Sequence, residues 1–168
     1  RTTKYIPEAL WAKFAASRML LRRHLYEQAR DEREWFARLL TFTRSAAVWS
    51  LLCYLVKLGD RHLDNILLGT QTAEVVHIDF ECVFGRGKYL PAPEVVDFRL
   101  TRELCHAFGP LECWGLFFVY FERALRVVDQ HLDEVLGFLD VFLVNAGGWE
   151  AQPAPETTPA AMGLTPPA

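Results

Sequence analysis

The segment of the sequence best suited to chemistry is a polar run, G-D-R-H-L-D-N, at residues 59–65, followed by H-I-D-F at residues 77–80. Asp60 and Asn65 lie five residues apart, and Asp79 comes after two short apolar runs. A carboxylate can orient or deprotonate an attacking hydroxyl, whereas an amide oxygen and a second carboxylate are hard oxygen ligands that suit Mg²⁺. Together the three side chains form a candidate site for metal-assisted phosphoryl transfer.

The elements around this run can bring its polar residues together. Apolar residues recur at helical spacing over residues 31–58, and Gly59 is a helix-stop signal, so the predicted helix ends just before Asp60. The β-rich runs at residues 66–68 and 75–78 flank a turn-like G-T-Q-T and predict a small hairpin. A helix end, a short loop and a hairpin can therefore place the three side chains of the candidate site side by side.

The rest of the pattern predicts a mainly helical α+β domain. Residues 7–28 have the spacing of one amphipathic helix or two short ones. Residues 81–99 contain Gly and Pro without a sustained period, which predicts a long ordered loop of a kind that is usually functional. Residues 150–168 are rich in Pro, Ala and Thr, and we expect a disordered tail there. Further helices are predicted at Leu100–Phe108, Leu111–Val128 and Leu132–Val144.

Composition narrows the function classes. The 168 residues are 51% hydrophobic and carry a formal net charge of −3, so a packed core is expected and no basic field implies direct nucleic-acid binding. The most apolar stretch, residues 46–58, is shorter than the roughly 20 residues that a bilayer requires, so no membrane partner is expected. The first residues lack signal-peptide features, which favours the nucleus, the cytoplasm or both. Four scattered cysteines predict reduced, mostly packed thiols.

The order of residues in the polar run resembles one kinase superfamily. Ordinary protein kinases have a catalytic loop H-R-D-x-x-x-x-N and a later D-F-G aspartate that holds magnesium. Here the histidine follows the aspartate, as D-R-H, and Asn65 comes three residues after His62. That order is similar to the phosphatidylinositol kinases and their protein-kinase relatives. Residues 93–101, P-E-V-V-D-F-R-L-T, resemble the P-E-x-V-P-F-R-L-T that closes the activation loop in the protein kinases of this superfamily and not in the lipid kinases.

The resemblance runs from about residue 35 to residue 149 and is to the phosphatidylinositol-3-kinase-related protein kinases. It implies that residues 1–149 form the C-terminal lobe of a kinase catalytic domain, with ATP and Mg²⁺ or Mn²⁺ as cofactors. It assigns Asp60 and His62 to catalysis, and Asn65 and Asp79 to binding the metal and the nucleotide. His62 could accept a proton, steady the transferring phosphoryl group or only orient Asp60.

The same resemblance leads to expectations about the parent protein. No Gly-rich loop and no phosphate-binding Lys in a strand precede the catalytic loop, so we expect the N-terminal lobe to be absent from this chain. The expected reaction is transfer of the ATP γ-phosphoryl group to protein Ser or Thr, possible sites being those followed by Gln. The missing lobe and a helical scaffold are expected partners.

Residues 59–67 and 74–79 look most like the family member that acts in nonsense-mediated mRNA decay and resemble the ATR-type checkpoint kinases nearly as well, so RNA surveillance or DNA-damage signalling is expected. A pseudokinase or scaffold fragment is the alternative, and a lipid kinase is disfavoured by F-R-L-T.

Two residues depart from the family pattern, and two others have structural interpretations. Glu81 stands where the D-F-G glycine would be, as in the relatives that this chain resembles, and does not indicate inactivity. Asp97 replaces the family proline beside the presumed peptide-binding segment and puts substrate preference in question. Arg61 is interpreted as a tether for the activation loop, and His77 as a packed, hydrogen-bonded residue.

Overall fold

The computed structural model of the chain describes residues 20–145. In chain order it contains α1 (Leu20–Glu27), α2 (Glu32–Val56), β1 (Ile66–Leu68), β2 (Val75–His77), α3 (Arg102–Ala107), α4 (Leu116–Gln130) and α5 (Leu132–Asn145). The predicted mainly helical α+β class with one small hairpin is confirmed. Residues 1–19 and the predicted tail at 150–168 lie outside the described residues.

Helix α2 begins where the sequence predicts and ends in an unexpected way. Asp31 is its N-cap, and the Asp31 carboxylate accepts a hydrogen bond from the Glu34 N–H at 2.7 Å. The C-cap is Lys57, which adopts the left-handed conformation with φ of 48°. The predicted stop at Gly59 is therefore wrong in detail, because the chain has already left the helix two residues earlier. Gly59 proves to have another role, described with the site.

Helix α2 is the centre of the core. Its buried face, which includes Phe42, Ala46 and Ala47, packs with β2, α3 and α4 in one cluster. Phe108 lies at the contact, with its ring centroid 5.5 Å from that of Phe42. Among the described residues, α2 alone is long and apolar enough to cross a membrane by length and composition, a test that core helices also pass. Its packing against the hairpin and α4 is that of a core helix.

Side chains of α2 hold the hairpin in place. Strands β1 and β2 are antiparallel, with Ile66 opposite His77. The buried Arg38 guanidinium donates to the carbonyls of Thr70 and Gln71, at 2.9 and 2.6 Å, and so fixes the turn between the strands. On the other side, the Ser45 hydroxyl accepts the N–H of Val75 at 2.9 Å. The position of the residues that flank the hairpin is thus set by the helix that precedes it.

The C-terminal helices are present as predicted, with boundaries that differ by at most two residues except at the start of α4. Helix α4 begins at Leu116, five residues after the predicted start at Leu111, because a 3₁₀ turn at Glu112–Trp114 and then Gly115 intervene. Phe117 is the buried anchor of α4, and its ring stacks on that of Phe108 at 4.7 Å. Among the cysteines, Cys53 is buried and the other three are partly buried; all four are free thiols.

Candidate active site

The loop after α2 holds Asp60 in an unusual backbone conformation. Asp60 has φ of 57°, in the left-handed region that residues other than Gly rarely adopt, and its side chain is partly exposed. The Asn65 amide group donates to the Asp60 carbonyl at 2.9 Å. This bond orients the Asn65 side chain so that its amide oxygen remains available for another partner. The two predicted site residues are therefore in direct contact.

Asp79 joins them from the far side of the hairpin. It also has a positive φ, of 61°, and one of its carboxylate oxygens accepts the Glu81 N–H at 3.2 Å. The preceding residue, Ile78, donates its N–H to the carbonyl of Asn65 at 3.1 Å. Left-handed conformations at non-Gly residues cost free energy and concentrate at functional sites. Asp60 and Asp79 share this feature. Asn65 bonds directly to Asp60, and it holds the chain next to Asp79 through its bond with Ile78.

Arg61 is the tie between the two halves of the site. Its guanidinium is buried, and it donates to the carbonyls of Gly59 at 2.8 Å, of Ile78 at 2.7 Å and of Asp79. Arg99 in turn donates to the carbonyl of Arg61 at 3.4 Å. Every described bond of its guanidinium goes to main chain, so Arg61 has the structural role that the sequence suggests. These bonds go to Gly59, Ile78 and Asp79 and not to the loop at residues 81–99, which Arg61 meets through its backbone N–H and Glu94.

His62 stands between two carboxylates at the open side of the loop. Its Nε2 lies 3.9 Å from a carboxylate oxygen of Asp60, and its Nδ1 lies 3.8 Å from one of Asp64. Both distances allow electrostatic attraction and are too long for a hydrogen bond. The His62 side chain is 52% exposed, so an incoming group could reach it. The structure thus places His62 beside Asp60, a position that is compatible with accepting a proton, with steadying the transferring phosphoryl group and with only orienting Asp60.

The donor set fits a divalent metal that is shared with a nucleotide. In the part of the chain that the structure describes, no group of three or more His, Cys, Asp or Glu side chains could hold a metal ion by itself. The carboxylate of Asp79 and the amide oxygen of Asn65 are both oxygen donors. Mg²⁺ usually takes one or two protein ligands and completes its shell with phosphate oxygens and water. Two oxygen ligands are therefore what this type of site requires.

The rings of His77, Trp49 and Phe80 form a stack, and Phe80 directly follows Asp79 in the sequence. The His77 ring stacks on Trp49 at 4.9 Å, and the Trp49 ring stacks on Phe80 at 5.9 Å. The Nδ1 of His77 lies 3.6 Å from the buried Cys53 sulfur. Burial and then the Arg61 charge lower the pKa of His77 to about 4, and burial raises the pKa of Cys53 to about 11. His77 is therefore a packed, neutral residue, as interpreted from the sequence.

The predicted long loop is ordered and contains a residue that the sequence reasoning missed. The N–H groups of Phe84 and Gly85 donate to the carbonyls of Val56 and Lys57 at 2.8 and 3.1 Å, which ties the loop to the end of α2. Near its other end, the Glu94 carboxylate accepts the backbone N–H groups of Asp60 and Arg61. The only signal for this residue was the P-E pair that opens the closing motif.

The closing segment of the loop lines a groove next to the site. Residues 94–101 form most of an open groove of about 660 Å³, with Leu58 and Arg61 on its other wall. Val95 is 94% exposed at its rim. Asp97, the residue that departs from the family, forms a salt bridge of 2.7 Å with Lys57, and both side chains are about half exposed. Its charge is thus partly neutralised at the edge of the groove.

Comparison with known proteins identifies the family. The family described as "Phosphatidylinositol 3- and 4-kinase" matches residues 13–147, which is most of the chain. The chain therefore belongs to the phosphatidylinositol 3- and 4-kinase family. The solved structure titled "FAT and kinase domain of CtTel1" superposes with a TM-score of 0.67 and 37% identity, over 70% of this chain and 8% of that one. The kinase-type fold that the sequence predicts is confirmed by this similarity.

The relatives found by sequence are named as serine or serine/threonine protein kinases. The "Serine/threonine-protein kinase TEL1" of Cryptococcus neoformans is 40% identical over 134 residues, which are 79% of this chain and 4% of that protein. The "Serine-protein kinase ATM" of Sus scrofa is 40% identical over 71% of this chain, and the "Serine/threonine-protein kinase ATR" of Drosophila melanogaster is 40% identical over 67%. The chain spans about 4% of the length of these curated relatives.

Proposed function

We propose that this chain is the C-terminal lobe of a serine/threonine protein kinase catalytic domain. The observation that carries the proposal is the hydrogen-bonded arrangement of Asp60, Asn65 and Asp79 around Arg61. In this proposal residues 1–149 are the lobe, and a nucleotide-gripping small lobe and a helical scaffold are its partners. The names of the relatives and the F-R-L-T segment favour protein over lipid as the phosphoryl acceptor.

The residues divide the work of in-line transfer. Asn65 and Asp79 would hold Mg²⁺ or Mn²⁺, which when bound neutralises charge on the phosphates of ATP. Asp60 orients the hydroxyl of the acceptor Ser or Thr and takes up its proton. His62 stands 3.9 Å from Asp60, where it can receive that proton or steady the transferring group. Positioning of this kind supplies most of the rate enhancement in phosphoryl transfer.

The biological setting follows the relatives and is also a proposal. The Tel1, ATM and ATR kinases found as relatives favour DNA-damage signalling and a nuclear location. The family resemblance of the sequence implies Ser or Thr followed by Gln as the acceptor sequence. The finer expectation of a nonsense-decay kinase has no support from the relatives named above. RNA surveillance therefore remains the second setting, suggested by the sequence of the catalytic loop alone.

The test is phosphoryl transfer by a polypeptide that joins these residues to a small lobe. With ATP, Mg²⁺ and a Ser-Gln peptide, the wild-type protein should transfer phosphate, and Asp79→Ala or Asp60→Ala should reduce kcat by at least about 10³-fold. Asp129→Ala, on the exposed side of α4, is the matched control and should retain activity. Transfer to phosphatidylinositol vesicles and not to peptide would indicate a lipid kinase. No transfer to either substrate would favour the pseudokinase alternative.

A further inference from the structure

We propose that Glu94 is a positioning residue for Asp60, a role that rests on the proposed phosphoryl transfer. One carboxylate oxygen of Glu94 accepts the Asp60 N–H at 3.0 Å, and the other accepts the Arg61 N–H at 3.4 Å. These two N–H groups belong to the peptide units on either side of the Asp60 Cα. A single carboxylate therefore clamps the backbone before and after the residue that meets the hydroxyl.

The clamp acts on a backbone conformation that is strained for a residue with a side chain. Asp60 has φ of 57°, and a left-handed conformation costs free energy at a residue other than Gly. Hydrogen bonds to an ionised acceptor are roughly twice as strong as those between neutral groups. The two bonds from Glu94 therefore offset the strain. Without them, relaxation of the loop would turn the Asp60 carboxylate away from its position.

Two glycines make room for this carboxylate. A Cβ at Gly59 or at Gly87 would lie 2.4 Å from the Oε2 of Glu94, a separation that real structures do not tolerate. The backbone of Glu94 is also fixed to this place, because its N–H donates to the Gly87 carbonyl at 3.1 Å. The Glu94 side chain is thus in contact with three segments: the end of its own loop, the 3₁₀ turn Arg86–Tyr89 that contains Gly87, and the catalytic loop. This arrangement, and not a helix stop, accounts for Gly59.

The first variant is Glu94→Gln in the two-lobed protein, that is, the polypeptide in which these residues are joined to a small lobe. Glutamine keeps the size of the side chain, but its NH₂ group cannot accept the second N–H and its charge is lost. Misplacement of a catalytic group by about 1 Å can cost about 10²-fold in rate, so kcat should fall by about that factor. The KM for ATP should change by less than about threefold, because in this proposal Glu94 acts through Asp60 and does not contact the nucleotide.

A second variant should displace the Glu94 carboxylate without replacing Glu94 itself. At Gly87 the three atoms nearest to an added Cβ all belong to Glu94, so Gly87→Ala should displace this carboxylate and reproduce the loss of kcat. Added to Glu94→Ala, it should cause no further loss, since the displaced group is already gone. Gly137→Ala in α5 is the matched control: nothing lies within 4 Å of its Cβ, and activity should be unchanged.

Amide hydrogen exchange supplies a readout that a general structural role would not move. Glu94→Gln should speed exchange at the Asp60 and Arg61 amides. The control for a general loss of stability is Leu39→Ala: Leu39 is a buried residue in the N-terminal part of α2, and its replacement should destabilise the fold and leave kcat per folded molecule unchanged. An active wild-type protein whose kcat is unchanged in Glu94→Gln and Gly87→Ala would overturn the positioning role alone. A kcat loss matched by Leu39→Ala at equal stability would also overturn it. A wild-type protein that transfers phosphate to no substrate would overturn the proposed function, and this role with it.

Discussion

The guanidinium of Arg61 donates a hydrogen bond to the main-chain oxygen of Asp79, and this joins the loop that carries the proposed base to the residue proposed to hold the metal. The bond matters because Asp60 and Asp79 are on opposite sides of the hairpin in sequence. A buried arginine that serves three carbonyls can act as a rigid spacer, since its planar fork fixes the directions of its N–H groups. Arg61 therefore helps to set the distance between the Asp60 loop and Asp79, together with the bond from the Ile78 N–H to the Asn65 carbonyl.

Replacement of Arg61 should lower the free energy of unfolding, because its guanidinium has a structural role and takes no part in the proposed chemistry. Arg61→Met would leave the carbonyls of Gly59, Ile78 and Asp79 without this donor, at an expected cost of about 3 kcal/mol. Arg61→Lys should recover little, because an ammonium group cannot match the fork. Urea denaturation of the two-lobed protein measures the change, with the exposed Arg123→Met as control. Equal stability of Arg61→Met and wild type would show that the tether is dispensable.

The sequence points to those parts of the candidate site whose proposed chemistry lies in side chains. Asp60, Asn65 and Asp79 are predicted from their joint spacing and from the kinase resemblance that it carries, and the core helix is predicted from its apolar period. Glu94 was missed because its partners are backbone N–H groups 33 and 34 residues away, which leave no pattern in the sequence. Gly59 was misinterpreted for the same reason: the carboxylate that requires its missing Cβ is visible only in three dimensions.

Helix ends show a similar limit. The end of α2 at Lys57 could not be predicted, because Lys has no preference for the left-handed conformation and is held there by its surroundings. Its N–H donates to the Cys53 carbonyl, its ammonium group pairs with Asp97, and the Tyr54 ring lies 4.4 Å from it. The start of α4 was predicted too early because the apolar period continues through a 3₁₀ turn. At Lys57 the pairing with Asp97 is a contact between residues distant in sequence, which the local pattern does not reveal.

His77 should make stability depend on pH in the mildly acidic range. Its pKa is about 4 in the folded protein and about 6.5 in an unfolded chain, so the unfolded state binds a proton first as pH falls. The stabilisation is therefore complete above pH 6.5 and is lost as pH falls towards 4, by at most about 3 kcal/mol. His77→Phe, which can retain the stacking on Trp49, should flatten the stability profile over this interval. An unchanged slope in denaturation at pH 7, 6 and 5 would contradict the assignment.

Asp97 and Lys57 should tune peptide preference in opposite directions. Their salt bridge is about half exposed, so its loss should cost no more than about 1 kcal/mol of stability. Asp97→Asn leaves Lys57 unpaired at the groove and should shift kcat/KM towards acidic peptides, whereas Lys57→Met should shift it towards basic ones. Asp97→Pro, which restores the family residue, should also change the peptide profile and leave the KM for ATP unaltered. If all three variants have the same peptide profile as the wild type, this edge of the groove takes no part in substrate recognition.

Residues 1–168 by themselves should show no phosphoryl transfer. A nucleotide is held from two sides in a kinase, by a Gly-rich loop and a Lys on one side and by metal ligands on the other. Asn65 and Asp79 supply only the second set, and two oxygen ligands hold Mg²⁺ weakly when the phosphates are not fixed. Large apolar side chains beside the site are also exposed, among them Leu63 at 73% and Phe80 at 50%.

Such exposed apolar surface promotes association, so sedimentation of these residues should reveal oligomers that the two-lobed protein does not form. Joining the small lobe in the same polypeptide should restore transfer, and Asp79→Ala should abolish it again. The decisive measurement is incorporation of labelled phosphate into a Ser-Gln peptide at equal concentrations of both proteins. Robust incorporation by residues 1–168, lost in their Asp79→Ala variant, would show that no second lobe is required and that the proposed division of the site is wrong.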